Sequence, residues 1–294
     1  MLKFFEIYRK QIIWAVVFFL FSLNFITWSS VFAVSNAPGI AVYFFDVGQG
    51  DSEFISAKDG TQILIDGGPN AKVLSDLGRV MPYYDNSIDL IVLTHQHADH
   101  VTGLIDVLRR YKVGMVIENG AGYNTAEYAE FERIITEKNI KKIIIDRPEE
   151  LLFYNGAVLK FLYPERSYDG ETLKNVHDAT VVSELDFEGR KILFMGDAEK
   201  NIEARLVYEG AVGNIDVLKA GHHGSKTSSN DFFLNIIKPE YAVISAGEGN
   251  RYGHPSQQTL SNLANIGAKI FRTDLDGTIK LEINKGNFVL STQK

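Results

Sequence analysis

The sequence contains no cysteine among its 294 residues. This absence excludes disulfide bonds, thiolate nucleophiles and zinc sites with cysteine ligands. Internal repeats, low-complexity tracts and a linker rich in proline, glycine or serine are absent as well. Hydrophobic residues make up 45% and charged residues 23%, which excludes a disordered, collagenous or coiled-coil chain. We therefore expect one globular domain after the N-terminal segment.

Positive charge is scarce in this chain. Lysine and arginine number 30 against 37 aspartates and glutamates, which gives a formal net charge of -7. Residues 1–35 hold three of the basic residues and one acidic residue, so the rest of the chain carries -9. A protein of this charge does not coat nucleic acid or anionic lipid through its overall field. Any recognition of phosphate must therefore be local, through a metal ion or a small basic cluster.

The N-terminus carries a long hydrophobic run. Three basic residues precede residues 11–34, which are uncharged and include 18 apolar residues among 24. This pattern is typical of a secretory signal, with small residues for cleavage at Ala33 and Ser35. The run is also long enough to span a bilayer, and its basic flank predicts export of the chain after Ser35. We predict a signal peptide or membrane anchor at 1–35, with membrane contact through 11–34 if it is uncleaved, and an exported domain at 36–294.

Strands alternate with helices through the rest of the chain. The predicted strands are 40–46, 53–57, 61–65, 88–93, 113–117, 141–145, 157–163, 179–186, 191–195, 215–219, 241–245, 269–272 and 277–283. The predicted helices are 102–111, 125–138, 199–209, 229–237 and 256–265. Two successive halves of this kind favour two packed sheets with helices outside.

The distribution of the seven histidines is the strongest signal in the sequence. Five of them fall in two clusters that directly follow apolar strands; the full set is His95, His97, His100, His177, His222, His223 and His254. Such clusters at strand ends are typical of metal ligands.

The first cluster predicts two metal ions. His95 and His97 project the same way in extended backbone, and the following turn brings Asp99 and His100 to a neighbouring point. Imidazole and carboxylate suit zinc, and also manganese or iron. Four ligands are too many for one catalytic ion with an open position, so we expect His95 and His97 on one ion and Asp99 and His100 on another.

Further ligands are expected from later strand ends. Asp197 follows an apolar strand, where a carboxylate can bridge two cations. His177 precedes a predicted strand. His222 and His223 lie between glycines, and in extended backbone their side chains point to opposite faces, so we expect one of the two as a ligand.

The motif His95-x-His97-x-Asp99-His100 resembles the metal-binding signature of the metallo-β-lactamase superfamily. More narrowly, several segments look like the hydrolase domain of ComEC-type competence (DNA-uptake) proteins. These are Phe45-Asp46-Val47-Gly48-Gln49-Gly50-Asp51-Ser52, Asp66-Gly67-Gly68, Gly196-Asp197, His222-His223-Gly224-Ser225-Lys226-Thr227-Ser228, Tyr252-Gly253-His254-Pro255, and Arg272-Thr273-Asp274 with Gly277-Thr278. The resemblance covers roughly residues 40–283. It implies an α/β (α+β) fold, a four-layer αββα sandwich with the metal site at one edge of the two sheets.

The resemblance also implies a ligand set in two groups joined by one carboxylate. One ion takes His95, His97 and His177, the other takes Asp99, His100 and His223, and Asp197 bridges. His222 then faces the substrate. ComEC-type domains often carry Asn near the position of His177; the histidine here is similar to dinuclear relatives such as secreted phosphorylcholine esterases, which strengthens the expectation of two ions. The ions are expected to be Zn²⁺, with Mn²⁺ as the alternative.

Other side chains are expected around the ions. Asp46, Asp51 and Asp66 are predicted to lie behind the ligands, with Asp66 hydrogen-bonded to them. The predicted catalytic residues are Asp99, His222 and His254, which orient the nucleophile, bond a substrate oxygen or protonate the leaving group. His254 also fits a loop histidine beside a proline.

The segment Ser225-Lys226-Thr227-Ser228 is a candidate for substrate binding. It offers one cation and three hydroxyl groups beside the metals, which suits a phosphate. It also suits the N-terminal cap of the predicted helix 229–237. Both can hold, since helix N-termini bind anions.

Together these features predict an exported metal-dependent hydrolase in which a hydroxide held between two ions attacks the substrate. The favoured activity is that of a phosphodiesterase, which includes a ComEC-like nuclease, although the acidic charge counts against tight nonspecific binding of long DNA. The alternatives are a small-molecule phosphoester or lactone hydrolase, and a non-catalytic binding module on the same fold. Retention of all seven ligand positions disfavours the binding module.

Overall fold

The structure is a computed structural model that describes residues 2–35 and 39–293. It divides into two compact units, Met1–Pro38 and Gly39–Lys294. The predicted start of the hydrolase domain at residue 36 falls outside the described residues.

The first unit contains one long helix, α1, Leu2–Ser35. Its segment Tyr8–Trp28 is long and apolar enough to cross a membrane, and none of that segment is buried within the protein. The length and composition suit a signal sequence or an anchor equally. The side chains of Ala33 and Ser35, the predicted cleavage residues, lie outside the described residues.

The second unit contains two β-sheets. The first sheet has eight strands: β1 Ile40–Phe44, β2 Glu53–Ala57, β3 Gln62–Ile65, β4 Ser87–Val92, β5 Lys112–Glu118, β6 Lys141–Ile144, β14 Thr278–Asn284 and β15 Asn287–Gln293. The second has seven: β7 Glu149–Leu152, β8 Val158–Tyr163, β9 Val182–Phe187, β10 Arg190–Phe194, β11 Val217–Lys219, β12 Tyr241–Ile244 and β13 Lys269–Arg272. Their spatial orders are β15-β14-β1-β2-β3-β4-β5-β6 and β13-β12-β11-β10-β9-β8-β7.

Residues 39–293, the described part of this unit, also form seven further helices. They are α2 Lys72–Val80, α3 Ala98–Arg110, α4 Ala126–Glu137, α5 Lys200–Tyr208, α6 Asp231–Ile237, α7 Gln257–Asn265 and α8 Thr273–Asp276. Two short 3₁₀ turns, Val176–Ala179 and Gly221–Gly224, lie beside them.

Three apolar layers hold the sandwich together. Side chains from facing sides of the two sheets form the central layer, in which the rings of Phe44 and Phe194 lie 6.1 Å apart. Helices α2, α3 and α4 cover the outer face of the first sheet with Leu77, Leu104 and Phe131. Helices α5, α6 and α7 cover the second with Ile202, Phe233 and Leu263. The predicted four-layer αββα fold is confirmed.

The strand directions determine where the site forms. Strands β3 to β6 run parallel in the first sheet, and β10 to β13 run parallel in the second. The carboxyl ends of parallel strands meet at one edge, where ligand sites of open α/β sheets form. Asp66 follows β3, His95 follows β4, Asp197 follows β10 and His222 follows β11.

The observed elements differ from the predicted ones in a few places. Helix α3 begins at Ala98 instead of residue 102, so Asp99 and His100 lie in its first turn. Helix α2 and strands β7 and β15 form where the sequence analysis assigned no element. Strand β9 begins at Val182, because residues 176–179 form a 3₁₀ turn.

Candidate metal centre

The first ligand group gathers around one oxygen of Asp197. His95 Nε2 lies 3.6 Å and His177 Nε2 lies 3.4 Å from Asp197 Oδ2. His177 Nε2 is also 3.1 Å from His97 Nδ1. One ligand atom from each of these four residues lies within 4.8 Å of the other three, as a shared metal ion requires.

The second ligand group gathers around the other oxygen. His100 Nε2 lies 3.5 Å and His223 Nε2 lies 3.7 Å from Asp197 Oδ1. Asp99 Oδ2 completes the group, 3.3 Å from His223 Nε2. The two oxygens of one buried carboxylate therefore face two separate sets of ligands, and this is the geometry of a bridging ligand.

Buried polar atoms without partners test whether metal ions fit here. His95 Nε2, His100 Nε2, His223 Nε2 and Asp197 Oδ1 are all buried and have no hydrogen-bond partner among the described residues. Unpaired buried polar atoms are costly, and four that gather around one carboxylate call for partners that the protein itself does not supply. Imidazole nitrogen and carboxylate oxygen suit divalent transition metals. These residues can hold two such ions.

The sequence profile described as "Metallo-beta-lactamase superfamily" matches residues 46–248, which is more than half of the chain. This chain belongs to the metallo-β-lactamase superfamily. Members of the superfamily are generally metal-dependent hydrolases.

The curated relatives confirm the narrower resemblance to competence proteins. ComE operon protein 3 of Bacillus subtilis (strain 168) is 30% identical over 259 residues, which cover 81% of this chain and 32% of the relative. Competence protein ComA of Neisseria gonorrhoeae is 28% identical over 281 residues, which cover 93% of this chain and 36% of the relative. The chain therefore spans about a third of the length of these relatives.

A solved structure supports the fold alone. The metallo-β-lactamase fold protein YhfI from Bacillus subtilis superposes with a TM-score of 0.54 at 12% identity, covering 86% of this chain and all of that one.

Asp66 lies in contact with one candidate ligand, His100. Its Oδ2 lies 2.7 Å from His100 Nδ1 and accepts a hydrogen bond from the Thr94 hydroxyl at 2.6 Å. The Thr94 backbone N–H donates to Oδ1 at 2.8 Å. With Nδ1 bonded to a carboxylate, the lone pair of His100 Nε2 faces the metal position, which is the usual arrangement behind metal-binding histidines.

The adjacent residues His222 and His223 separate through an unusual backbone. Both lie in the left-handed region, with φ of 48° and 53°, rather than in the extended backbone that the sequence analysis assumed. Gly224 follows at φ 75°. His223 is buried with Nε2 toward Asp99, whereas the side chain of His222 is 22% exposed. The geometry therefore favours His223 as the ligand and puts His222 at the cavity.

Sequence reasoning did not find Lys219 as a site residue. It is 1% exposed, and its Nζ lies 2.5 Å from Asp51 Oδ2. Asp51 Oδ1 in turn lies 3.1 Å from His223 Nδ1, so the structure brings Asp51 beside a candidate ligand. A lysine in an apolar strand that runs into the histidine pair is the signal that was available.

Glu199 is a second residue that the sequence analysis did not single out. Its Oε1 lies 3.3 Å from His222 Nδ1 and 3.8 Å from His177 Nδ1. Thr227 Oγ1 lies 3.2 Å from the same nitrogen of His222. The ring of His222 is thus held by its Nδ1 side, and its Nε2 lies 3.8 Å from Asp197 Oδ2.

The structure does not bring Asp46 to the ligands. Its carboxylate pairs with Lys72 Nζ at 2.9 Å and accepts a hydrogen bond from the Gly48 backbone N–H. The prediction that Asp46 lies behind the ligands has no support from these contacts.

The segment Ser225–Ser228 is mostly engaged in its own fold. Ser228 Oγ donates to the Gly221 carbonyl at 2.7 Å, and Ser225 Oγ pairs with Thr227. Lys226 is exposed. Thr227 Oγ1 contacts the ring of the cavity residue His222, and the backbone N–H of Ser225 donates to the His222 carbonyl. The hydroxyl groups of the two serines are engaged within the protein, so these contacts do not support their predicted role in substrate binding.

The expected helix N-terminus is also different. Helix α6 begins at Asp231 and its cap is Asn230, whose side chain accepts from Phe233 N–H. The buried Glu203 carboxylate accepts from the backbone N–H groups of Ser229 and Asn230. The carboxyl group of Glu203 thus occupies the place where the sequence pattern allowed a substrate phosphate.

An open cavity of about 170 Å³ leads to the metal ligands. Beside the ligand side chains it is lined by Gln49, His222, Tyr252 and His254. The ring of Tyr252 stacks on His254 with centroids 6.0 Å apart, and His254 lies 5.7 Å from His222. His254, predicted as catalytic, therefore lies at the cavity with His222.

The histidines of the first group suit metal binding without loss of a proton. Burial and the neighbouring histidines lower the pKa of His95 well below its usual value. Burial also lowers the pKa of His177, to about 4. Both rings are therefore neutral near pH 7, which is the form that binds metal.

The histidines of the second group are held in a more acidic surrounding. Burial alone would lower the pKa of His100. The charges of Asp66 and Asp197 outweigh the effect of burial and raise the pKa to about 10. For His223, burial is likewise outweighed by Asp197 and Asp51, and the pKa lies well above its usual value. An ion that binds this group displaces protons from it.

Proposed function

We propose that this chain is an extracytoplasmic phosphodiesterase that acts through two divalent ions, zinc in the first place and manganese as the alternative. The observation that carries the proposal is the position of Asp197, whose two oxygens face His95 and His177 on one side and His100 and His223 on the other. Paired ions of this kind serve in-line displacement at phosphorus.

The residues of the chain have separable tasks in this proposal. The seven ligands hold the ions, which when bound supply Lewis acidity and lower the pKa of water. His222 faces the cavity with Nε2 while Glu199 and Thr227 hold its Nδ1 side. A histidine held in this way can give a proton to the leaving oxygen. His254, 5.7 Å away, lies where it can bond a substrate oxygen.

The names of the relatives support a phosphodiester substrate. They are described as competence proteins, and a third, from Haemophilus influenzae, as a recombination protein. These names favour nucleic acid, in the form of a nuclease. Because the chain is acidic, such a substrate would be bound at the ions and at the cavity rather than along the surface.

A second candidate function, hydrolysis of a small phosphoester or lactone, is favoured by the lining of the cavity. None of the described residues that line it is a lysine or arginine. A nuclease usually follows the backbone of its substrate with a basic groove, whereas a small ester needs only the ions and a few polar groups.

Export of the domain is part of the proposal. It is supported by the apolar helix segment Tyr8–Trp28 and by the basic residues before the hydrophobic run.

The test compares hydrolysis of bis(p-nitrophenyl) phosphate by the purified full chain with and without EDTA. We expect activity that EDTA abolishes and that zinc or manganese restores. Asp197→Asn should lose at least a hundredfold in kcat/KM, while Asp76→Asn, which changes a buried aspartate bonded to Arg79 in another part of the fold, should retain it. Single-stranded DNA, a phosphocholine ester and a lactone are then compared as substrates. Hydrolysis of the lactone alone would overturn the phosphodiesterase proposal.

A further inference from the structure

A buried lysine lies behind the second ligand group. Lys219 ends β11 and is 1% exposed. Its Nζ lies 2.5 Å from Asp51 Oδ2 and 3.8 Å from Glu53 Oε1, and it donates to the Ala220 carbonyl at 3.3 Å. A lysine without access to water requires such partners, because an unpaired buried charge is very costly.

The ion pair joins the two sheets at the metal edge. Asp51 belongs to the loop between β1 and β2 in the first sheet, and Lys219 belongs to the second sheet. Lys219 bonds Oδ2 of Asp51, which leaves Oδ1 facing His223 Nδ1 at 3.1 Å. The other ring nitrogen of His223, Nε2, is the atom that faces Asp99 and Asp197. The three side chains thus form a continuous row from Lys219 to the metal position.

Stabilisation of the fold does not by itself explain why Lys219, Asp51 and His223 form this row. A buried ion pair contributes little net stability, and a well-packed apolar pair of similar volume often does as well or better. The row ends on a metal ligand, and it has a counterpart on the other histidine of the same group. There, Asp66 faces His100 Nδ1 and is held by the backbone N–H and hydroxyl of Thr94. For Asp51, a cation takes the place of those neutral donors.

We propose that Lys219 is a positioning residue for the second metal ion. By holding Oδ2 of Asp51 it keeps the negative Oδ1 at 3.1 Å from His223 Nδ1, which favours the proton on Nδ1 and leaves the lone pair of Nε2 for the ion. The hydrogen bond of Nδ1 goes to the Ser245 carbonyl at 3.2 Å, and this neutral acceptor favours the same tautomer. The inference rests on the two-ion centre proposed above.

The amide variant Asp51→Asn tests the direction of the row. Its side chain has one acceptor oxygen, which Lys219 takes, so the NH₂ group faces His223 Nδ1 and disfavours the Nδ1–H tautomer. In the double variant Asp51→Asn/Lys219→Met the oxygen is released and can turn toward His223. We therefore expect Asp51→Asn to weaken one ion by about 10- to 100-fold and the double variant to recover most of that loss.

The measurements are zinc and manganese titrations of the full chain against a competing chelator, with ¹⁵N-histidine spectra of His223 that report its tautomer. Lys219→Met should weaken one of the two ions and leave the other within twofold of the unchanged chain. Lys142→Met is the matched control, because Lys142 also pairs with a buried carboxylate, Glu118, at 2.9 Å but has no contact with a ligand histidine.

The outcomes separate this inference from the proposed function. If the unchanged chain binds fewer than two ions, the two-ion centre itself is wrong. Suppose instead that the unchanged chain binds two ions, but that each variant, Lys219→Met and Asp51→Asn, weakens the binding of both ions equally or of neither ion. If the spectra also show the same His223 tautomer in every chain, the positioning role of Lys219 is wrong. If Lys219→Met does not fold, the comparison of Asp51→Asn with the double variant decides, since recovery supports the proposal and no recovery overturns it.

Discussion

At the scale of single residues, the adjacent pair His222 and His223 shows how neighbouring side chains take different places. The left-handed backbone directs His223 into the protein toward Asp99 and leaves His222 at the cavity. Each residue is therefore the natural control for the other.

Substitution of these two histidines should have different consequences. His223→Ala removes a ligand, and we expect the bound metal to fall from two ions toward one per chain. His222→Ala should keep two ions and lose activity by about 10²- to 10⁴-fold, the usual contribution of a general acid. Elemental analysis and hydrolysis rates check both variants. If only the His222→Ala variant lost an ion, His222 would be the ligand and His223 would not.

Glu203 gives a prediction for the pH dependence of stability. Burial raises its pKa to about 7, whereas an unfolded glutamate titrates near 4.3. The folded chain binds the extra proton between these values, so this stabilisation is complete below pH 4.3 and is lost as the pH rises to about 7. The loss is roughly 4 kcal/mol at most.

Denaturant unfolding between pH 4 and 8 tests this contribution. Glu203→Gln should remove that part of the pH dependence, and Glu209→Gln, on an exposed residue at the end of the same helix, should keep it. An unchanged slope in Glu203→Gln would contradict the assigned pKa.

The sequence could predict the ligand types because metals restrict chemistry strongly. The spacing of the histidines and their resemblance to a known motif named the seven ligand candidates, and the structure brings all of them within reach of Asp197 or its neighbours. It could not predict Lys219 or Glu199, because their roles depend on contacts with residues that are distant in sequence, such as Asp51.

At the scale of elements, helix α3 carries two of the ligands and is docked very closely. Gly67 N–H donates to the His100 carbonyl at 2.8 Å, and Gly103 N–H donates to the Gly68 carbonyl at 2.9 Å. A Cβ at Gly103 would collide with the carbonyl of Gly67, which is backbone and cannot move aside easily.

Gly103→Ala should therefore destabilise the fold by roughly 1–3 kcal/mol, the usual range for overpacking, and shift the ligands Asp99 and His100. Gly78→Ala in α2 is the matched control, since a Cβ there meets nothing within 4 Å and alanine favours a helix. Thermal unfolding measures both. Equal stability of the two variants would show that the close approach is not required.

Helix α2 and strand β15 have sequences that do not favour their structures strongly. Helix α2 is nine residues long and contains Gly78, so its local preference is weak and packing of Val73 and Leu77 on the sheet stabilises it. Strand β15 lies at an edge, and Phe288 and Leu290 pack against the core while the apolar Val289 between them is exposed, so its sequence lacks the alternation of apolar and polar residues. Both elements are therefore stabilised by packing against parts of the chain that are distant in sequence.

At the scale of the whole molecule, each unit has its own physical character. The second unit, Gly39–Lys294, has a complete core of three apolar layers, while the described large side chains of the first are exposed.

A chain that starts at Gly39 should therefore be monodisperse without detergent and unfold in one cooperative transition. The full chain should partition into the membrane fraction or be shortened by cleavage near Ala33. Gel filtration, calorimetry and N-terminal sequencing check this, and a Gly39 chain that aggregates would contradict an independent second unit.

The central claim is that one carboxylate, Asp197, joins two metal ions, and zinc K-edge X-ray absorption of the zinc-loaded protein tests it most directly. We expect two zinc ions per chain, a zinc–zinc distance of about 3.5–4 Å, and loss of that distance in Asp197→Asn. A single zinc ion per chain, or two ions without a zinc–zinc distance in this range, would contradict the account.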